Sequence, residues 1–172
     1  MDASRDWVPP GLPVTVTVTL SNTMTAPFEH TQLTITLPEE LGEPTWLGAS
    51  SGNPVYDPIL HQITWNGDVV LDLPETVSFS SVMSAAINAC MAPVVEAFVE
   101  DSLGTTTPLS TAINVTVPDC NCTGSVNIVD VQEIAGRWNT TPLDPGYHPR
   151  FDLNGDGQIT VLDLIISAQA WN

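Results

Sequence analysis

The last third of the chain repeats itself. Residues 119–139 (DCNCTGSVNIVDVQEIAGRWN) resemble residues 152–172 (DLNGDGQITVLDLIISAQAWN), and each residue of the second copy lies 33 positions after its counterpart. Both copies begin with a loop rich in Asp, Asn and Gly and continue with an apolar pattern of helical period. Because a duplicated unit of this size rarely buries its apolar residues alone, we expect the two copies to pack together.

The second copy has the ligand spacing of an EF-hand calcium loop. Calcium takes about six to eight oxygen ligands, which such a loop supplies from positions 1, 3, 5, 7, 9 and 12, with a glycine bend at position 6. Gly157 occupies the bend. Ile159 at position 8 is apolar, as expected if the two loops pair through a short β contact. The predicted ligands are Asp152, Asn154, Asp156, Gln158 (through its carbonyl), Thr160 and Asp163.

The first copy offers a weaker set of ligands at the same positions. These are Asp119, Asn121, Thr123, Ser125 (through its carbonyl), Asn127 and Asp130. Thr123 at position 5 replaces a carboxylate with a hydroxyl, and ligand charge is one determinant of affinity. We therefore predict two Ca²⁺ sites, of which the 152–163 site is the stronger. The alternative is that both segments are ordinary Asp/Asn/Gly turns of an acidic protein.

Neither loop follows a predicted helix. A strand precedes the first loop, and Pro142, Pro145 and Pro149 exclude a regular helix before the second. Two loop–helix units of this kind, at 119–172, resemble a dockerin, a calcium-dependent module that binds cohesin domains and tethers secreted or surface proteins to a scaffold. The resemblance implies a cohesin-like partner. It also implies that the tenth and eleventh loop residues help to choose that partner, here Ile128, Val129, Val161 and Leu162.

Helical spacing predicts one core stripe on each helix. In the first helix the stripe comprises Val131, Ile134, Ala135 and Trp138, and in the second it comprises Leu164, Ala168 and Trp171. The second helix carries further apolar side chains off this stripe, at Val161, Leu162, Ile165 and Ile166. These side chains either pack against the rest of the protein or form, with Ile128 and Val129, a surface for the partner.

Residues 1–118 have the alternation of antiparallel β-strands. LPVTVTVTL (12–20) places Val and Leu on one face and Thr on the other, and TQLTITL (31–37) repeats this pattern. Further candidate strands lie near Trp46 and at 62–66, 75–83, 94–100 and 109–117. Strands of this kind, separated by Pro, Gly and Asn turns, predict a two-sheet antiparallel sandwich. We therefore expect a mostly β protein with a small α module, divided into 1–118 and 119–172.

Two segments of this region, NTMTAPFEHTQLTITLPEEL and DPILHQITWNGDVV, resemble the Ig-like repeat domains of bacterial surface proteins. In that family the domain is a spacer with no known active site. A second hypothesis for the whole chain is therefore a structural stalk or adhesion module, with calcium stiffening its junction. A third is a carbohydrate-binding sandwich with Trp46, Tyr56 and Trp65 as the sugar platform, although such aromatic residues are more often part of a core.

Cys90, Cys120 and Cys122 are the three cysteines of the chain. If 94–100 and 109–117 pair as a hairpin, residues whose numbers sum to about 209 face each other, and Cys90 lies opposite residue 119. A bridge from Cys90 to Cys120 or to Cys122 is feasible, and we select Cys90–Cys120. Such a bridge contributes about 2–4 kcal/mol in a favourable case. The alternative is three free thiols.

The charge of the chain excludes several classes of partner. Twenty acidic and three basic residues give a formal charge of −17, which disfavours nucleic acids and anionic membranes. No stretch has the 18 or so apolar residues of a membrane span, and the first residues lack the features of a signal peptide. We expect a monomer, secreted or on a bacterial-type cell surface.

No catalytic motif is apparent in the sequence. His30, His61 and His148 are scattered and have no nucleophile motif nearby. The paired carboxylates at 39–40 and 100–101 fall in predicted turns, where solvation is the simpler explanation. We therefore predict that the protein is not an enzyme.

Overall fold

A computed structural model describes residues 1–23, 26, 28–87 and 89–171. The described chain is mostly β, as predicted. Met24, Thr25 and Pro27 of the Ig-like pattern, and Asn172 at the end of the second repeat, lie outside the described residues. The elements are β1 (Asp2–Ala3), β2 (Trp7–Val8), β3 (Pro13–Leu20), β4 (Phe28–Thr36), β5 (Trp46–Ala49), β6 (Val55–Asp57), β7 (Gln62–Val69), β8 (Glu75–Val82), β9 (Val94–Glu100), β10 (Thr106–Ala112), β11 (Asn114–Val115), α1 (Ile128–Ala135) and α2 (Val161–Gln169).

The chain forms two compact units, and both are discontinuous in sequence. The first unit contains Met1–Asp6, Pro13–Val82 and Pro93–Ile113. The second contains Trp7–Leu12, Met83–Ala92 and Asn114–Asn172. The division into domains 1–118 and 119–172 concerns which parts of the chain fold on their own, and it stays a prediction.

The first unit is the predicted antiparallel sandwich. Among the described residues, one sheet has the strand order β1-β3-β8-β5 and the other has the order β10-β9-β4-β7-β6. The alternation of β3 explains its role in this fold, because Val14, Val16 and Val18 are buried while the threonines between them are more exposed. The side chains of the second sheet that complete this core include Leu33, Ile35, Ile63, Trp65, Val95 and Ala97.

The hairpin of β9 and β10 has a different register from the predicted one. Glu100 pairs with Thr106, so paired residue numbers sum to 206, and β10 ends at Ala112. The turn is shorter than predicted because the Asp101 carboxylate accepts hydrogen bonds from the backbone N–H groups of Leu103 and Thr105, each at 2.9 Å. The carboxylate at this position therefore has a structural role in the turn.

The predicted sugar platform is wrong in one essential residue. The ring of Trp65 is fully buried in the sandwich core, where its indole N–H donates to the Ser51 carbonyl at 2.7 Å. Trp46 is about half exposed and Tyr56 is partly buried. Since Trp65 cannot contact a ligand, these three rings do not form one exposed surface.

The second unit contains both repeat copies. Its short parallel pair, β2 with β11, joins Trp7 to Asn114 and Val8 to Val115. The helices α1 and α2 follow the two loops, and a single 3₁₀ turn at Pro149–Phe151 precedes the second loop in place of an α-helix, as the prolines predict. Among the described residues, no helix is long and apolar enough to span a membrane.

Candidate metal centre

The two loops have the same backbone conformation at their bends. Gly124 and Gly157, at position 6, have φ angles of +87° and +86°. At position 4 the first loop has Cys122 at +59° and the second has Gly155 at +70°. These angles lie in the left-handed region, which glycine enters at little cost and other residues enter with strain. The sequence predicts the bend at position 6, whereas nothing in a cysteine indicates the bend at position 4.

The first and last carboxylates of the second loop organise its backbone. Asp152 accepts hydrogen bonds from the N–H of Asp156 at Oδ1 (3.1 Å) and from the N–H of Gly157 at Oδ2 (2.8 Å). Asp163 accepts from the N–H of Asn154 at Oδ1 (3.3 Å) and from the N–H of Thr160 at Oδ2 (2.7 Å). The loop is therefore wrapped around these two side chains.

The first loop repeats these four bonds, and in the second loop Asp163 Oδ1 also accepts the N–H of Leu153 at 2.8 Å. Asp119 accepts from the N–H of Thr123 at Oδ1 (3.0 Å) and from the N–H of Gly124 at Oδ2 (2.7 Å). Asp130 accepts from the N–H of Asn121 at Oδ1 (3.3 Å) and from the N–H of Asn127 at Oδ2 (2.9 Å). Every donor and acceptor lies 33 residues before its counterpart in the second loop. The repeat seen in the sequence is therefore a repeat of hydrogen bonds.

The closing carboxylates also begin the two helices. Asp130 and Asp163 form capping boxes with the N-cap residues Asn127 and Thr160, whose side chains accept hydrogen bonds from the helix N-termini. Both closing carboxylates are fully buried, and the backbone bonds they accept come from neutral N–H groups. Burial of an anion among neutral donors leaves an unfavourable desolvation term that a bound cation would offset.

The donor chemistry of the loops fits a hard cation. Carboxylate, amide, hydroxyl and carbonyl oxygens occupy the six ligand positions, and these are the ligand types that Ca²⁺ takes in proteins. Among the described residues, no three His, Cys, Asp or Glu side chains converge as a metal site formed by those residues alone would require. Calcium ligation by these loops therefore depends also on the neutral oxygens, and it stays a prediction.

The two loops differ most at the ligands of positions 5 and 7. In the second loop, the Asp156 carboxylate accepts the N–H of Gln158 at 2.9 Å. In the first, Thr123 and Asn127 both donate to the Ser125 carbonyl, from Oγ1 at 3.4 Å and from Nδ2 at 3.2 Å. The position-7 oxygen of the first loop thus already has two donors. Which of the two loops binds Ca²⁺ more tightly stays a prediction.

A small core supports the two loops. Its buried members include both position-2 residues, and Tyr147, Leu164 and Ile166 pack against it. The Tyr147 hydroxyl donates to Asp152 Oδ2 at 3.0 Å. Burial, followed by the hydrogen bond and the charge of Asp152, raises the pKa of Tyr147 to about 12. The buried members are Cys120, Ile134, Phe151, Leu153 and Ile159.

The predicted β contact of Ile159 has a different partner. The carbonyl of Ile159 accepts from the N–H of Asn139 at 2.8 Å, and its own N–H donates to the carbonyl of Thr140 at 3.0 Å. Both backbone groups of position 8 therefore bond to the segment that follows α1. The second loop is held by the end of the first copy, not by position 8 of the first loop.

The helix faces are rotated relative to the predicted core stripes. Ile134 is buried as predicted, but Trp138 and Trp171 are each 53% exposed, and Ala135 and Ala168 are also exposed. The buried pairs are Asp130 with Ile134, and Asp163 with Ser167, because the closing carboxylate must face its own loop. Helical period was therefore predicted correctly, but the phase was not.

Five of the six predicted partner residues are exposed. Their exposure runs from 45% at Ile165 to 52% at Leu162. Ile166 is the exception, since it is only partly exposed and packs against the small core. We therefore remove it from the candidate surface, which comprises Ile128, Val129, Val161, Leu162 and Ile165.

The disulfide joins Cys90 to Cys122, with a Cα–Cα distance of 5.6 Å. The selected pairing of Cys90 with Cys120 is therefore wrong, and the other feasible pairing is present. Cys120, at position 2 of its loop, turns into the small core and is a buried free thiol. Burial, followed by the charges of Asp130 and Glu133, raises the pKa of the Cys120 thiol to about 12.

Comparison with known families agrees with this geometry. Residues 117–169 match the family model of the dockerin type I domain. This segment is dockerin-like. The match spans both loops and both helices, and begins just before the first ligand. Among curated proteins, no sequence matches the chain significantly.

Similar solved structures share little sequence with this chain. A type II cohesin–X–dockerin complex from Acetivibrio cellulolyticus is 16% identical, covering 91% of this chain and 95% of that one, with a TM-score of 0.30. AvmM, which catalyses macrocyclization in alchivemycin A biosynthesis, is 10% identical over 66% of this chain and 86% of that one (TM-score 0.45). BcpA, the major pilin subunit of Bacillus cereus, is 7% identical over 63% of this chain but only 35% of that one (TM-score 0.41).

Proposed function

We propose that this protein is a non-catalytic, calcium-dependent adaptor whose dockerin-like module docks a cohesin-type partner. The observation that carries the proposal is the hydrogen-bond pattern of the dockerin-like segment, which occurs twice with the same spacing. Each copy also presents apolar side chains at the start of its helix. Both the loop and the exposed apolar helix start are therefore duplicated, as we expect for a binding module that calcium orders.

The loops supply the proposed calcium ligands and fix their orientation. Asp152, Asn154, Asp156 and Asp163 supply side-chain oxygens, and Gln158 supplies its carbonyl. When bound, Ca²⁺ neutralises carboxylates that otherwise repel one another within the loop. Asp130 and Asp163 serve both loop and helix, so ordering of each loop is linked to formation of the helix that follows. Binding free energy thereby contributes to folding of the module.

The exposed side chains at the helix starts form the proposed docking surface. This surface comprises Ile128 and Val129 on α1 and Val161, Leu162 and Ile165 on α2. It contains no charged residue, although the chain as a whole carries a formal charge of −17. The proposed partner surface is therefore apolar. We further propose a secreted or surface location on a bacterial-type cell and membership of a polysaccharide-degrading assembly, with the adaptor acting as a monomer.

Two measurements, made one after the other, test this proposal. Calorimetric titration with Ca²⁺, with far-ultraviolet circular dichroism before and after chelation, is expected to show two binding events and a gain of helix. Binding to a panel of cohesin domains is then expected with calcium and not with chelator. No heat and no change in helix would contradict the metal site, and binding that ignores calcium would contradict the mechanism.

A matched pair of variants locates the docking surface. Leu162→Glu places a charge on the surface and should weaken cohesin binding at least tenfold, since an unpaired charge would be desolvated on docking. Leu143→Glu is the control, because Leu143 is 95% exposed and lies between the two copies. Equal effects of the two substitutions would exclude the surface. Both variants should retain calcium-dependent helix.

A structural stalk is the second candidate function. It is favoured by the disulfide, which ties Cys90, a residue outside 119–172, to Cys122 of the dockerin-like segment. In this case calcium would stiffen the second unit without serving a partner. Cohesin binding distinguishes the two functions, because both predict calcium-induced protection in amide exchange: a stalk predicts no cohesin binding, whereas an adaptor predicts calcium-dependent binding.

A further inference from the structure

Position 4 of the first loop has an unfavourable residue for its conformation. Cys122 has a φ of +59°, in the region where a side chain clashes with its own backbone. The equivalent residue of the second loop is Gly155, which has no such penalty. The two loops thus reach one conformation with different residues. A separate interaction must stabilise it in the first loop.

That interaction is the disulfide from Cys122 to Cys90. Both cysteines lie in the second unit, and Cys90 belongs to its Met83–Ala92 segment. Arg150 adds a second contact, because its Nη2 donates to Cys122 Sγ at 2.8 Å. Cys122 lies between the position-3 and position-5 residues, Asn121 and Thr123, which the repeat pattern designates as ligands. A constraint on Cys122 therefore limits the positions of both neighbours.

The first loop depends more on such a constraint than the second does. It has two carboxylates where the second has three, and the carbonyl of Ser125 is shared with two internal donors. Because the first loop attracts a cation more weakly, its affinity for Ca²⁺ depends more strongly on whether the ligands are already in place. A disordered apo loop of this composition would have to be ordered by the cation alone.

We propose that Cys90 and Cys122 are positioning residues for the first calcium site, and that their disulfide holds this loop in its cation-binding conformation. The inference rests on the proposed function, because it assumes that the loops bind Ca²⁺. In the intact protein the first loop binds calcium. Without the bond, Cys122 leaves the left-handed conformation, the bonds of Thr123 and Gly124 to Asp119 are lost, and the affinity of this site alone falls.

The double variant C90S/C122S in the full chain tests the need for the bond. Calorimetry with Ca²⁺ should show two sites in the parent protein. In the variant the first site should weaken at least tenfold, while the 152–163 site keeps its Kd within about twofold. The second site is an internal control for folding of the module. Cys120 is unchanged and buried in both proteins.

A second variant, C90S/C122G, tests the conformational explanation. It also lacks the bond but has at position 4 the residue that the second loop uses. The first site should recover a substantial part of its affinity, because glycine adopts the required φ without strain. The inference would be overturned if the first site of C90S/C122G bound Ca²⁺ as weakly as that of C90S/C122S. It would also be overturned if the first site of C90S/C122S kept the affinity of the parent protein.

Amide exchange gives a readout that needs no metal. The N–H groups of Gly124 and Gly157 donate to Asp119 and Asp152 in equivalent bonds of 2.7 and 2.8 Å. In C90S/C122S without calcium, exchange at Gly124 should accelerate at least tenfold, with Gly157 unchanged. Equal exchange in parent and variant would overturn the inference. A parent with only the 152–163 site would overturn it while sparing the proposed function, and no calcium binding would overturn both.

Discussion

At the level of single residues, the candidate site depends on side chains that accept backbone N–H groups. Asp152 and Asp163 each accept at both carboxylate oxygens. Their places at the first and last loop positions could be predicted from spacing, because an EF-hand loop has fixed ligand positions, whereas their role as calcium ligands stays a prediction. The positive φ of Gly157 could be predicted for the same reason. The positive φ of Cys122 could not, since it is imposed by a bond to a residue 32 positions away.

Gly157→Ala should lower the free energy of unfolding of the second unit in saturating calcium by about 1 kcal/mol. The space around Gly157 is open, since nothing lies within 4 Å of the added Cβ, so the cost is backbone strain at φ +86°. Urea unfolding measures the effect. Gly146→Ala is the control, because its added Cβ makes ordinary contact with Thr140 at 3.6 Å. Equal losses in both variants would contradict the explanation.

His148 links the stability of the second unit to pH. Its Nδ1 accepts the N–H of Arg150 at 3.2 Å and caps the 3₁₀ turn, which requires an unprotonated Nδ1. Burial, followed by the charges of Arg150 and Arg137, lowers the pKa of His148. Below its usual value of about 6.5 the unfolded chain therefore binds more protons than the folded chain. Stability is full above that pH and decreases as pH falls through this range.

The expected result is a smaller pH dependence in His148→Asn. Asparagine retains a neutral capping acceptor but does not titrate. Urea unfolding at saturating calcium, at pH 7.5 and pH 5.5, should show the parent losing more stability than the variant. Identical losses would show that other groups, such as the loop carboxylates, account for the dependence.

At the level of loops and helices, the sequence predicted the period of each element but not its rotation. The apolar spacing placed Trp138 and Trp171 in the core, yet both are half exposed. The reason is the closing carboxylate. Asp163 must face its loop, so Ser167, one turn later, is buried with it. Apolar periodicity contains no information about this constraint, because it counts only hydrophobic side chains.

Thr123→Asp should strengthen the first calcium site about tenfold, because it restores a carboxylate at position 5. It also removes one of the two donors to the Ser125 carbonyl. Calorimetry should show the change at the first site only. Thr123→Asn is the matched control, since it has a similar shape without the charge, and it should give a much smaller gain. An equal gain in both variants would attribute the effect to the released carbonyl.

At the level of the whole molecule, the two compact units are not continuous stretches of the chain. The dockerin-like segment forms a unit with residues 7–12 and 83–92, which come from the strand-rich part of the sequence. The sandwich has its own core of inward-facing side chains such as Phe79 and Trp65. Two separate cores predict two unfolding events. Only one of them should respond to calcium.

Removal of calcium should therefore change one of two transitions in scanning calorimetry. When the free Ca²⁺ concentration is about 100 times the Kd of a site, binding at that site stabilises the folded state by about 2.7 kcal/mol. Chelation should lower the Tm of the second unit and leave that of the sandwich unchanged, with re-addition of calcium as the control. A single transition, or two that both shift, would show that the units do not unfold independently.

Short-range patterns in the sequence were enough to predict the mostly β sandwich and the duplicated loops with their glycine bends at position 6. Each depends on alternation or on fixed spacing within about a dozen residues. The β9–β10 register, the partner of Ile159, the choice of Cys122 over Cys120 and the burial of Trp65 were decided only in the folded chain. Each of these brings together residues distant in sequence or selects among sterically feasible contacts. That selection depends on the packing of the whole unit.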